Sequence, residues 1–433
     1  MNDEQTNASV KLASRRDFLR TSAAAVATAA NPGYVAGADT ITIGLIGCGG
    51  RGTEAATNAM NADKGARLVA MADVLVDRAL ERRAQLMLKY PEQVTLDTDH
   101  CFGGLDGYQK VIAACDVVLI ANAAKFHPLH MMAAIQAGKH VFVEKPHAVD
   151  PAGVKVVRAA CELARQKGLV VVSGLQSRYH PGYRETVQRI HDGAIGEIVA
   201  IEENFLRAPY VLYPRRPGMS EVQYQAINQY HFHWLSGDDV PQSLIHNLDR
   251  ATWVLREQAP LKAHGLGGRS TLCGEIYGSV FDHHSVIYEF ASGIRLYAFC
   301  RTIENCYNEV SSILLGSKGR ANILQTRIEG ANPWQYQGPR ANPYDLEHVE
   351  LFKAIRAGTP VNNGHYMVRS TLMALMGQFS CYTGKEVTWE QISTSDFHFP
   401  PKPEDVRLDM EPPVKPGPDG TYPVFTPGVT RLL

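Results

Sequence analysis

Two short stretches of this 433-residue chain carry chemistry in their residue types and spacing. In the first, Gly47-Cys48-Gly49-Gly50-Arg51-Gly52 follows the β-branched run 41–46 and opens a helical stretch, the strand-turn-helix setting that a dinucleotide fingerprint requires. Gly47 permits the tight turn, Gly49 lets the backbone approach a pyrophosphate, and Gly52 allows close packing. The free N–H groups of the helix start, where Gly50 and Arg51 stand, face the anion. Asp73 ends the second strand, where a carboxylate accepts hydrogen bonds from ribose hydroxyls and repels a 2′-phosphate, so NAD is expected rather than NADP. The plainer alternative is a strand-end or helix-capping aspartate, with Asp77 as the other cap.

The second stretch is Glu144-Lys145-Pro146, just past a buried strand at 141–143. Open α/β sheets hold ligands at the carboxyl ends of their strands, so the Lys145 ammonium can reach a cleft above a nicotinamide. Beside an NAD⁺ ring and partly desolvated, a lysine loses proton affinity, and its amine can hydrogen-bond or deprotonate a hydroxyl whose carbon gives up hydride. Pro146 makes a cis peptide bond affordable at this bend. The alternative is a surface Lys-Pro turn.

Asp116-Val117-Val118-Leu119-Ile120-Ala121, then His127, then Ala137-Gly138-Lys139-His140-Val141-Phe142-Val143 leading into that motif, together with the glycine fingerprint and Tyr382-Thr383-Gly384-Lys385-Glu386-Val387-Thr388-Trp389, resemble the glucose-fructose oxidoreductase, inositol dehydrogenase and rhizopine-catabolism family (Gfo/Idh/MocA) over most of the chain. The resemblance implies a bend that aims Lys145 inward, with Glu144 and His127 close to the cofactor, though helix entry before Pro128 alone explains His127 as well. It also implies an acid and a histidine one helical turn apart in the substrate domain. The matching stretch is Gln242-Ser243-Leu244-Ile245-His246, with His246 polarising a substrate hydroxyl, or else a buried core histidine. At a spacing of four, Gln242 shares a helix face with His246, yet glutamine cannot take a proton, which puts a two-residue relay in doubt. Gln242 remains a substrate-binding candidate. Arg178, near the domain junction, either reaches substrate or cofactor or forms a structural ion pair.

The activity implied is hydride transfer between a sugar or polyol carbon and tightly held NAD. Two alternatives stay open: redox-neutral glycoside cleavage through transient oxidation, and a non-catalytic NAD-binding protein. His231 and His233 alternate and would face one way in a strand, and His283-His284 follow Asp282. Neither group has a third ligand at metal spacing, so no metal is expected.

Strands at 41–46, 67–72, 116–121, 141–143 and 170–172 alternate with helical stretches, among them 127–137 and 151–167, which predicts α/β architecture: a doubly wound parallel Rossmann sheet over 39–174. From 175 to 399 a helix at 181–191, longer alternating strands at 197–205, 285–290 and 294–300, a turn at 316–319 and helices at 346–357 and 367–383 predict an α+β substrate and oligomerisation domain with a large, mostly antiparallel sheet. The Pro-rich segment 400–433 reads as an extended arm, mobile or wrapped on a neighbouring subunit of a homo-oligomer.

With 43 basic against 44 acidic residues no global field gathers nucleic acid, and a small carbohydrate is the better partner. The eight cysteines are scattered and read as packed thiols. Ser14-Arg15-Arg16-Asp17-Phe18-Leu19-Arg20 before the small apolar run 21–30 resembles a twin-arginine signal, so 1–38 is excluded from the fold. That resemblance implies recognition by the twin-arginine export machinery and a periplasmic or otherwise exported protein carried folded with its cofactor.

Overall fold

The computed structural model describes residues 39–271 and 278–433; the twin-arginine-like segment and Cys273 lie outside them. The first sheet contains β1 (Ile41–Ile46), β2 (Ala66–Asp73), β3 (Cys101–Gly103), β4 (Val117–Ile120), β5 (His140–Val143) and β6 (Val171–Ser173). All pairs are parallel, in the order β3-β2-β1-β4-β5-β6. β4 and β5 are buried along their whole length because helices cover both faces. The strand order reverses between β1 and β4, which opens a crevice at their carboxyl ends.

The second sheet has nine strands: β7 (Ile198–Arg207), β8 (Lys262–Gly268), β9 (His283–Glu289), β10 (Arg295–Thr302), β11 (Glu309–Gly316), β12 (Gly319–Asn322), β13 (Arg327–Gly330), β14 (Trp334–Gln335) and β15 (Val387–Thr388). Their order is β14-β13-β12-β11-β7-β10-β9-β8-β15, and among them only β7 and β10 pair parallel. The α/β class and its mostly antiparallel second sheet are therefore as expected. Helix Gly364–Thr383, buried through most of its length, covers one face, where Gly377 leaves room for the Tyr288 hydroxyl that a Cβ would strike at 2.1 Å.

Three features differ from the sequence reading. Helix Pro343–Ala357 returns to the first domain, burying Leu351, Phe352 and Ile355 with Ile43, Leu45 and Ala59 of the Rossmann layer. A break drawn at 174 from composition cannot register this return. The segment beyond 400 wraps its own protomer: Tyr422 is buried, its hydroxyl donates to Glu221, and the Gln225 amide donates to the Val414 carbonyl. Its apolar anchors are single residues among prolines, which give no periodic signal. Finally, His231 ends a 3-10 turn (Gln229–His231) and His233 opens a short helix (His233–Ser236), so they do not share a strand face. The capping box of Ser220 and Gln223, which starts helix Glu221–Ile227, is a local signal for this region.

Candidate active site

The glycine loop is built as its sterics demand. Gly47 has φ +96°, and a Cβ there would lie 2.5 Å from the Asn122 nitrogen. At Gly52 a Cβ would meet the Gly47 carbonyl oxygen at 1.8 Å, so even alanine forces helix Gly50–Ala62 off the strand. Gly49 and Gly50, in contrast, have open space where a side chain would stand. This is a cradle for a group that approaches the backbone. Gly47, Gly49, Asp73, Arg78 and Asn122 line one open groove beside the loop.

Asp73 stands at this groove with both oxygens braced: Cys48 N–H donates to Oδ2 at 2.8 Å and Leu75 N–H to Oδ1 at 3.1 Å. Arg78 lies 3.7 Å away and was not singled out from the sequence. Arg51 donates to Glu144 at 2.7 Å, pairs with Glu54 and lies over the Tyr344 ring, so its guanidinium braces the loop against the Glu144 motif. Gly174 makes room for Glu144, since a Cβ would lie 2.8 Å from its carboxylate. Buried Glu347 is the third carboxylate here, 4.0 Å from Arg51, and burial and the Glu144 charge hold its pKa well above the usual range.

The Lys145–Pro146 peptide is cis. His127 lies behind the bend, with Nδ1 2.8 Å from the Pro146 carbonyl oxygen and Nε2 3.0 Å from that of Asn122. Burial lowers its pKa to about 4. His127 braces the turn; it does not line the groove, although the resemblance implied closeness to the cofactor. The Lys145 Nζ donates to the Gln242 carbonyl oxygen at 2.8 Å across the domain boundary. Lys145, Glu144, Arg51, Asn122, Tyr230 and Gln242 line one small polar pocket.

Gln242 and His246 are not on a plain α-turn. Residues Val240–Leu244 form one π-helical turn that runs into helix Ile245–Val254, a departure from regular geometry often found at functional sites. The Gln242 amide donates to the Ser236 carbonyl at 2.6 Å, and its buried Oε1 has no partner among the described residues. Buried His246 Nδ1 is likewise unpartnered, and burial, followed by the charge of Lys145, pushes the imidazole pKa well below its ordinary value. The ring is neutral near pH 7 and can donate or accept one hydrogen bond toward a hydroxyl.

Arg178 is a correction. Its guanidinium donates to Asp249 at 2.8 and 2.9 Å and to Glu257 at 2.6 Å, and it lies over Tyr366. With both carboxylates engaged it is the structural ion pair, not a substrate ligand. His283 pairs with Asp282 at 2.6 Å on one side of β9, while buried His284 lies 3.3 Å from Asp238 and 3.6 Å from the Cys300 sulfur on the other. Among the described residues no His/Cys/Asp/Glu group suited to a metal ion occurs. The seven described cysteines are free, and all but Cys306 are buried.

The reading from sequence missed Arg207, Tyr210, Tyr230 and Asp239, which border the same cleft. The adjacent acids Asp238 and Asp239 after Gly237, just ahead of the Gln242 stretch, were the available signal.

Residues 41–175 match the family model described as GFO_IDH_MocA, an oxidoreductase family with an NAD-binding Rossmann fold. The chain is 25% identical over 334 residues to inositol 2-dehydrogenase of Acidiphilium cryptum, covering 74% of this chain and 87% of that protein. It is 31% identical over 260 residues to inositol 2-dehydrogenase of Burkholderia cenocepacia, covering 59% and 66% of the two. Among solved structures, aldose-aldose oxidoreductase from Caulobacter crescentus complexed with glycerol superposes with TM-score 0.63 at 18% identity, over 81% of this chain and 99% of that one. For myo-inositol 2-dehydrogenase from Lactobacillus plantarum the values are 0.61, 19%, 81% and 99%. At these identities the structures speak for the fold.

Proposed function

Taking residues 41–175 as a domain of the Gfo/Idh/MocA oxidoreductases, we propose that this protein transfers hydride between a hydroxyl-bearing carbon of a sugar or polyol and a nicotinamide dinucleotide. The observation that carries the reading is the convergence of Lys145 from the Rossmann domain with Gln242 and His246 from the second domain, beside the glycine-loop groove. The bare backbone at Gly49 and Gly50 fits a pyrophosphate, and Asp73 fits a ribose and so favours NAD. A bound nicotinamide supplies the hydride acceptor. Lys145 in its amine form would take the hydroxyl proton and become the ammonium, while neutral His246 orients the oxygen. The two inositol 2-dehydrogenases support a cyclic polyol or sugar as substrate.

The twin-arginine-like N-terminus supports export with the dinucleotide already in place. Protein from a periplasmic fraction should release NAD on denaturation, and the native protein should develop NADH absorbance with at least one member of a panel of inositols, aldoses and aryl glycosides. Absence of both dinucleotide and absorbance change across the panel would defeat the proposal. Aglycone release without NADH accumulation would identify glycoside cleavage as the net reaction.

We also propose a homodimer through the second sheet. The face away from helix Gly364–Thr383 carries a row of Ile287, Tyr297, Glu202 and Ile313 across four paired strands, flanked by exposed Leu266 and Leu315. Light scattering should give a dimer mass or a multiple of it; a monomer at micromolar concentration would contradict this surface.

A further inference from the structure

Next to the Lys145 pocket lies a narrow chamber with room for about one water-sized group, bounded by Arg207, Tyr210, Tyr230, His231, Asp239 and Gln242. Tyr230 and Gln242 line both spaces, so the two lie side by side. Three buried polar atoms in the chamber walls have no partner among the described residues: Asp239 Oδ2, Gln242 Oε1 and His231 Nε2. Their residues are 6%, 3% and 3% exposed. An unpaired buried polar atom costs free energy, and a buried carboxylate oxygen costs most, so three around one chamber suit a water or a ligand hydroxyl that takes its place.

The walls are fixed. Arg207 donates to Asp239 Oδ1 at 2.7 Å and the Ser243 hydroxyl donates to the same oxygen at 2.6 Å, leaving Oδ2 free and held in one orientation. The Arg207 guanidinium lies 3.6 Å over the Tyr210 ring, which stacks on Tyr230 at 4.0 Å. The chamber thus offers two acceptors, one imidazole nitrogen and a flat aromatic wall. A carboxylate or phosphate would face Asp239, and Arg207 is already neutralised by it. A cation would meet Arg207 beside the carboxylate. Hydroxyls satisfy every free atom without adding charge.

We propose that this chamber is a hydroxyl-reading subsite that takes one hydroxyl of the substrate remote from the reacting carbon, and that Asp239 makes the protein select neutral polyhydroxylated compounds over sugar acids and sugar phosphates. The proposal rests on the oxidoreductase reading for which end of the substrate reacts, but the binding it asserts is measured without turnover.

The test is calorimetric titration of the full-length protein with myo-inositol, D-glucose, D-glucuronate and D-glucose 6-phosphate, alongside Asp239→Asn. Asparagine keeps an oxygen for Arg207 and Ser243 while changing what Oδ2 presents. A neutral compound should bind roughly tenfold to a hundredfold more tightly than its charged counterpart, and the substitution should weaken the neutral compound and shrink that ratio by a similar factor. If the variant fails to fold, the wild-type ratio and Gln242→Met, which removes the second free acceptor, carry the test. Equal binding of neutral and charged compounds, no binding of any neutral member at millimolar concentration, or an unchanged ratio in the variants would overturn the subsite. Binding with these dependences but no NADH formation would leave the subsite standing and remove the oxidoreductase reading; turnover indifferent to Asp239 would do the reverse.

Discussion

Lys145→Met should lower the rate of hydride transfer by about 10²–10⁴-fold, the range that one positioned acid-base group contributes, while leaving dinucleotide content unchanged. Methionine nearly matches the length of lysine and packs without charge, so the bend at Pro146, supported by His127, need not move. The groups that cradle the dinucleotide are the backbone of Gly47 to Gly52 and the Asp73 carboxylate, held by Cys48 and Leu75 rather than by Lys145. What the substitution deletes is the single ammonium that reaches across to the Gln242 carbonyl and charges the wall next to His246. The measurement is single-turnover reduction of bound NAD by the best substrate of the panel, with dinucleotide assayed after denaturation of each preparation. A rate within tenfold of wild type would remove Lys145 from the chemistry; loss of the dinucleotide together with the rate would instead make it a binding residue.

What could be read from the sequence follows what is local. β1 and helix Pro181–His191 end where the pattern of apolar and turn residues places them. The roles of Gly47 and Gly52 follow from a turn and a close contact within six residues. β3 is three residues long and adds too little periodicity to be seen. Asp239 and Gln242 belong to one site only because a π-turn and the end of β7 bring Arg207 beside them, and no pattern along the chain encodes that long-range pairing. Arg178 was ambiguous for the same reason: a buried arginine is a ligand or a brace according to which carboxylates the fold delivers, and here Asp249 and Glu257 arrive from 71 and 79 residues away. His127 shows the same limit: its ring lies behind the bend and meets the groove only through the Asn122 carbonyl, so helix entry and closeness to a cofactor read alike along the chain.

The Arg178 assignment makes a prediction of comparable size in stability rather than rate. Asp249 is fully buried, and its carboxylate receives two Arg178 N–H groups and the Ser370 hydroxyl, the latter from the long helix of the second domain. Arg178→Met removes the positive charge and leaves Asp249 in a water-excluded space with one hydroxyl donor, a change that costs about 3–5 kcal/mol when one member of a buried pair is lost. Glu257 is less affected, being partly exposed and also paired with Arg369. The midpoint of urea unfolding should therefore fall sharply, while KM of the protein that remains folded stays near wild type. Adding Asp249→Asn to Arg178→Met should recover much of the loss, because the buried charge is then gone from both sides. A substrate ligand behaves otherwise: KM rises, unfolding shifts little, and the second substitution restores nothing. That outcome would return Arg178 to the substrate site.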